Sequence, residues 1–195
     1  MPVFTARDDD FHFAEMGDRW WMTETSWFAF CKLEEKLGGW LYTMARPNIG
    51  TVAGGAWFWD DSAHLPWEVL CNANDSALRL PRDQDLLNIT LPTGVSIKAV
   101  EPTMGYELTV RDGDECNIGL HFQGVMAPRP LRKGGPPFGG SNHFDRFGRV
   151  TGRSTCKTLG LDLYPQGAGH DHRACGNFLR ACRSPPNSKH PAHRA

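Results

Sequence analysis

Large apolar residues recur at intervals of two in this chain, in short runs that each end at a turn signal. Side chains two apart share one face of a β-strand, so the spacing restricts the fold to consecutive strands. In residues 104–111, Met104, Tyr106, Leu108 and Val110 face one way, with Gly105, Glu107 and Thr109 opposite. In residues 115–123, Cys116, Ile118, Leu120 and Phe122 alternate with Asn117, Gly119 and His121 in the same way. This is the half-buried antiparallel pattern, with one face on a core. Further runs are read at 25–31, 40–46, 51–59, 86–91 and 95–100. The connections include Arg46-Pro-Asn-Ile-Gly50, Asp60-Asp-Ser62, Pro92-Thr-Gly94 and Asp112-Gly-Asp114, in which Pro presets φ and Gly, Asn and Asp favour turns. Helix is expected only as single turns near 34–37 or 78–85. Regular strands with little helical periodicity predict an all-β barrel or sandwich.

All seven tryptophans lie between Trp20 and Trp67. Trp57 and Trp59 share a strand face, as do Trp40 and Tyr42, and Trp27 aligns with Ala29 and Cys31. Phe28, Phe30, Leu41 and Phe58 put bulk on the opposite face as well, so these strands want cover on both sides. Such a wall can be core, an interface, or the lining of a site for an apolar or sugar-like ligand.

The 195 residues suffice for one sizeable domain. A hydrophobic content of 40% and a net charge of −1 argue neither for disorder nor for nucleic acid, and no nucleic-acid partner is expected. The charge is split: residues 1–152 carry 14 Lys/Arg against 20 Asp/Glu, whereas 153–195 carry 7 against 2. No apolar run is long enough to span a bilayer, and the start lacks a signal-peptide pattern, so a cytoplasmic location is expected. The six cysteines contain no CxxC, and Cys31, Cys71 and Cys116 read as structural thiols within strands.

Two stretches carry a family likeness. The first comprises Thr25-Ser-Trp-Phe-Ala-Phe, Gly38-Gly-Trp-Leu-Tyr, Arg46-Pro-Asn-Ile-Gly50 and Gly54-Gly-Ala-Trp-Phe-Trp-Asp60. The second is His143-Phe-Asp-Arg-Phe-Gly-Arg-Val-Thr-Gly152. Residues 20–152 resemble the N-terminal half of the AttH-like or hydroxyneurosporene-synthase-like group, whose best-known members are carotenoid 1,2-hydratases. The resemblance implies two lipocalin-like barrels that handle terpenoid, polyene or polyketide-like ligands. It therefore sharpens the expected fold to a lipocalin-like antiparallel barrel or curved sandwich with an irregular C-terminal tail. The departure comes after Gly152, where the family continues into a second barrel and this sequence turns rich in Gly, Pro, His and basic residues. The expected organisation is an N-terminal arm at 1–19, a β domain at 20–160, and a disordered or non-native tail at 161–195, as from a truncation or frameshift.

Three groups of residues bear on function. Trp27, Trp40, Tyr42, Trp57 and Trp59 are the candidate ligand-binding wall. His143 and Asp145, two apart on an extended segment, share a face, and a carboxyl oriented by an imidazole could protonate an alkene. The alternative for that pair is a turn in which Asp145 caps backbone N–H groups. His170-Asp-His172 with Cys175 and Cys182 offers zinc-type ligands, but the Cys–Cys spacing matches no common zinc module, so no metal is expected. No cofactor is implied, since hydration of an alkene needs none. The chain is thus expected to bind, and in one reading to hydrate or isomerise, an apolar small molecule. The alternatives are a non-catalytic carbohydrate or lipid binder and an inactive truncated fragment; whether it is an enzyme stays open. Self-association is expected wherever the aromatic wall is exposed.

Overall fold

The computed structural model describes residues 4–12, 18–85, 88–113, 116–130, 141–156 and 172–183, the side chains of 130, 141–143, 156 and 172–183 excepted. Eleven strands are present among them: β1 (Glu24–Lys32), β2 (Leu37–Arg46), β3 (Thr51–Trp59), β4 (Cys71–Arg79), β5 (Asn88–Thr90), β6 (Val95–Glu101), β7 (Gly105–Asp112), β8 (Cys116–Gly124), β9 (Arg129–Pro130), β10 (Ser141–Cys156) and β11 (His172–Arg183). They form one sheet in the order β4-β3-β2-β1-β11-β10-β8-β7-β6-β5, with β9 on β10, and each pairing is antiparallel. The helical elements are single 3-10 turns at Ala6–Asp9, Leu33–Glu35 and Pro47–Ile49. Residues 78–85 hold no helical turn, because β4 runs on to Arg79. No helix is long and apolar enough to cross a membrane.

The sheet is strongly curled. In a flat sheet Phe28 on β1 would lie roughly 14 Å from β8 and 19 Å from β7, at the usual strand spacing. Instead its ring is 5.1 Å from that of Tyr106 on β7 and 6.0 Å from that of Phe122 on β8. Cys71 at the head of β4 likewise comes close to Cys116 at the head of β8, whose influence lowers the pKa of the Cys71 thiol. Curling wraps one apolar face into a single core with Leu41, Val52, Phe58, Ile97 and Val110 at its centre. The fold is the all-β, lipocalin-like class read from the sequence. Its hydrogen-bonded order stays open, with β4 and β5 at the ends among the described residues.

Alternation matches the reading of the later strands: Tyr106, Leu108, Val110, Cys116, Ile118, Leu120 and Phe122 are buried. The early strands also separate by parity. Phe28, Phe30, Leu41 and Phe58 face the core, while Trp27, Trp40, Tyr42 and Trp57 stand on the outer face. Cys71 and Cys116 are buried as small apolar residues, whereas Cys31 is exposed, because its parity is that of Trp27.

The structure differs from the sequence reading over His172–Arg183. That segment is a strand between β1 and β10, pairing Trp27 with Leu179 and Leu179 with Asp145, where a tail had been expected. Without it, both neighbours would present open rows of backbone donors and acceptors. Residues 161–171 and 184–195 of the expected tail lie outside the described residues.

Two glycines fix how β3 sits. Gly54 and Gly55 have φ of 129° and 151°, and the β3–β4 register shifts between Val52 and Gly54. A Cβ at Gly54 would fall 1.9 Å from the Tyr42 carbonyl oxygen. Gly54→Ala is expected to destabilise the fold by about 2 kcal/mol or more in urea unfolding, from backbone strain and this clash. A change within experimental scatter would mean that the bulge is absent.

Candidate functional site

The outer face of β1, β2 and β3 carries a continuous aromatic surface. Register sets Trp27 opposite Tyr42 and Trp40 opposite Trp57. Ring centroids are 5.7 Å apart for Trp27–Tyr42, 6.2 Å for Trp27–Trp40 and 5.8 Å for Trp40–Trp57. These are the edge-to-face and tilted separations that aromatic quadrupoles favour. Trp59 lies over Gly38, where an added Cβ would meet its ring at 2.7 Å, so the glycine is what lets the indole lie flat on the strand. Gly38 and Gly39 extend β2 ahead of the run read at 40–46.

The segment after β3 folds back beside this surface and makes a groove of about 410 Å³. Trp40, Trp57 and Trp59 form its floor, and Ala63, His64, Leu65, Pro66 and Val69 its wall. Short local bonds hold the wall in shape. Asp60 Oδ1 accepts from the Ser62 backbone N–H and hydroxyl at 3.0 and 2.6 Å. Glu68 Oε2 accepts the backbone N–H groups of His64 and Leu65, both at 2.9 Å. At its start the segment is tied to the turn before β2 by the Lys36–Asp61 ion pair, which holds the Asp61 carboxyl below its usual range, first through the hydrogen bond and then through charge. Trp27 and Trp59 remain 40% and 37% exposed, and Trp67 on the same segment 71%. The wall is therefore neither core nor enclosed, and His64 brings one polar ring to an otherwise apolar groove.

The inside of the curl holds a second constellation. Arg146 on β10 is fully buried, with its guanidinium carbon 5.8 and 5.5 Å from the ring centroids of Tyr106 and Phe144. Its Nη1 donates to the Tyr106 hydroxyl at 3.4 Å, and that hydroxyl donates to Asp9 Oδ1 at 2.7 Å. The backbone N–H of Thr103 donates to Asp9 Oδ2. Burial pulls the Arg146 guanidinium below its ordinary value, an effect opposed by Tyr106, Asp9 and Glu101. On the buried parity of β1, Glu24 accepts from His12, at 2.6 Å from the backbone N–H, with Nδ1 at 3.0 Å. Asp9 and His12 belong to the N-terminal arm, which also stacks Phe4 on Phe144 at 4.7 Å.

The structure brings the five wall residues together, although Trp59 meets the others only through the groove. Asp145 is half-buried on β10, opposite in parity to buried Phe144 and Arg146, and so on the outer face. It stands in the same register row as Trp27, with β11 between them, about 10 Å away at two strand spacings. His143 follows the parity of Asp145, but its side chain lies outside the described residues, as do His170 and the side chains of His172, Cys175 and Cys182. Sequence reasoning missed Arg146, Tyr106 as a polar group, and Asp9. Arg146 had a readable signal, a charge at a core-parity position between Phe144 and Gly148. The contact of Asp9 with Tyr106 had none, since the two lie on separate elements far apart in the chain.

The sequence profile of a family described as "Domain of unknown function (DUF7064)" matches residues 5–172. Among curated proteins nothing matches. Among solved structures, a crystal structure described as an AttH candidate from Nitrosomonas europaea is similar, with a TM-score of 0.63 at 12% identity. The match covers 96% of this chain and 58% of that one, so the chain spans little more than half the length of its structural neighbour. At this identity the likeness shows the fold, which is AttH-like; it does not reach the narrower hydroxyneurosporene-synthase-like assignment. The profile covers most of the chain, and by that match the protein belongs to the DUF7064 family.

Proposed function

We propose that this protein binds an apolar, flat or extended small molecule of the terpenoid, polyene or polyketide kind, in the Trp-floored groove on the outer face of the sheet. The observation that carries this reading is a floor of Trp40, Trp57 and Trp59 left partly open to solvent inside a groove of about 410 Å³. A site of mainly apolar walls with one or two polar groups suits such a ligand, and His64 is that polar group. The AttH-like fold supports a ligand-binding β module, and the sequence resemblance to carotenoid 1,2-hydratases supports the ligand class. The space between Phe28, Tyr106 and Phe122 is filled by their own rings, which pack against one another.

Polyenes are expected to quench the tryptophan emission saturably, and Trp40→Ala to weaken binding by about tenfold or more, the effect of losing one well-packed aromatic contact. Oligosaccharides that quench equally well would transfer the groove to the carbohydrate-binding alternative. Hydration or isomerisation of the bound ligand falls, in this reading, to Asp145 on the same outer face as proton donor, with His143 as its orienter. Asp145→Asn should then abolish turnover while leaving quenching unchanged. Turnover that persists in the variant would remove Asp145 from that role, and a wild type that turns over no polyene would be a binder alone.

The same surface supports self-association. Sedimentation at rising concentration should reveal a larger species, weakened by Trp67→Ser, and a strict monomer at high concentration would exclude it.

A further inference from the structure

The inside of the curl suggests a second site, independent of the outer groove. A fully buried guanidinium must be matched by a counter-charge, because its desolvation amounts to several kcal/mol. Glu101 of β6 adds a charge to the field at Arg146, but the carboxylate hydrogen-bonded to Tyr106 comes from Asp9, on the separate N-terminal arm. The donors around Asp9 are set as they would be for a bound acid: a phenol hydroxyl on one oxygen and a backbone N–H on the other, with the guanidinium behind the phenol. The backbone donor is held at a conformational penalty. Thr103 has φ of 63°, a region disfavoured for a β-branched residue, and in that conformation its N–H meets the carboxylate.

We propose that Tyr106, the Thr103 N–H and Arg146 form a carboxylate-binding cradle, and that the arm fills it with Asp9 as a built-in ligand. The arm and a free carboxylate then compete for one place. The ligand class is a carboxylate, either a small free anion or the acidic end of an apolar molecule entering beside Phe4 and Phe144.

The test compares the full-length wild type with Asp9→Ala, using formate and octanoate as probes, by thermal shift and titration calorimetry. Sodium chloride at equal ionic strength and formamide are the controls. Formate is expected to raise the transition of Asp9→Ala, since a ligand of the folded state stabilises it. It should bind the variant about tenfold or more tightly than the wild type, in which Asp9 competes. Octanoate acting like formate would identify the acidic end of an apolar molecule as a source; formate acting alone would confine the cradle to small anions, with the proposal standing. The added change Tyr106→Phe should remove the response. Equal responses of wild type and variant to formate would overturn the proposal, as would equal effects of chloride or formamide. Should Asp9→Ala fail to fold in chloride, refolding in formate must restore it, and failure to do so also overturns the proposal.

Discussion

The contact of Phe28 with Tyr106 and Phe122 is the constraint on which the rest of the molecule depends. Those rings belong to strands three and four places apart in the sheet, and they meet only because the sheet curls through its whole width. Once it does, every strand has an inner and an outer face, and one residue's parity decides between core and solvent. The inner face then becomes a filled core with an aromatic centre. The tryptophans, offset by one residue from the phenylalanines, are carried outward by the same geometry.

This division gives the two aromatic populations different physics. Phe28, Phe58, Phe122 and Phe144 are buried and lend stability through area removed from water. Trp27, Trp59 and Trp67 stay partly exposed, an unfavourable arrangement for a soluble surface unless something covers it. The buried polar cluster is the reverse case. Arg146 and Asp9 are charges within the core, held by each other's field and by Tyr106, and they tie an arm to a sheet that it does not extend.

How far the sequence could be read follows from these distinctions. Period two was visible wherever one face is polar, as in β7 and β8, and those strands were placed nearly to the residue. β4 was missed because its composition, Cys-Asn-Ala-Asn-Asp-Ser-Ala-Leu-Arg, alternates weakly on an end strand that is mostly exposed. β11 was missed because basic composition spoke louder than alternation, and because pairing with β1 and β10 is a tertiary fact. The tryptophan wall was legible as a set, but its face was not, since the early strands are bulky on both sides. Of the candidate site, the groove's floor could be read, whereas its wall comes from an irregular loop whose return over β3 no local pattern encodes. The interior cluster shows the same limit, for parity could flag Arg146 but could not name its distant carboxylate.

The placement of β11 has a consequence for how the chain reaches this state. β1 is made early and β11 last among the described strands, yet the two are neighbours along nearly their whole length. During synthesis β1 can zip onto β2, but its other edge must wait until β11 has emerged. Over that interval β1 and β10 are two open templates, available to each other in the wrong register or to another nascent chain. High contact order of this kind makes for slow closure of the sheet. The emergence of β11 is therefore what ends the exposure of these two edges to misassembly.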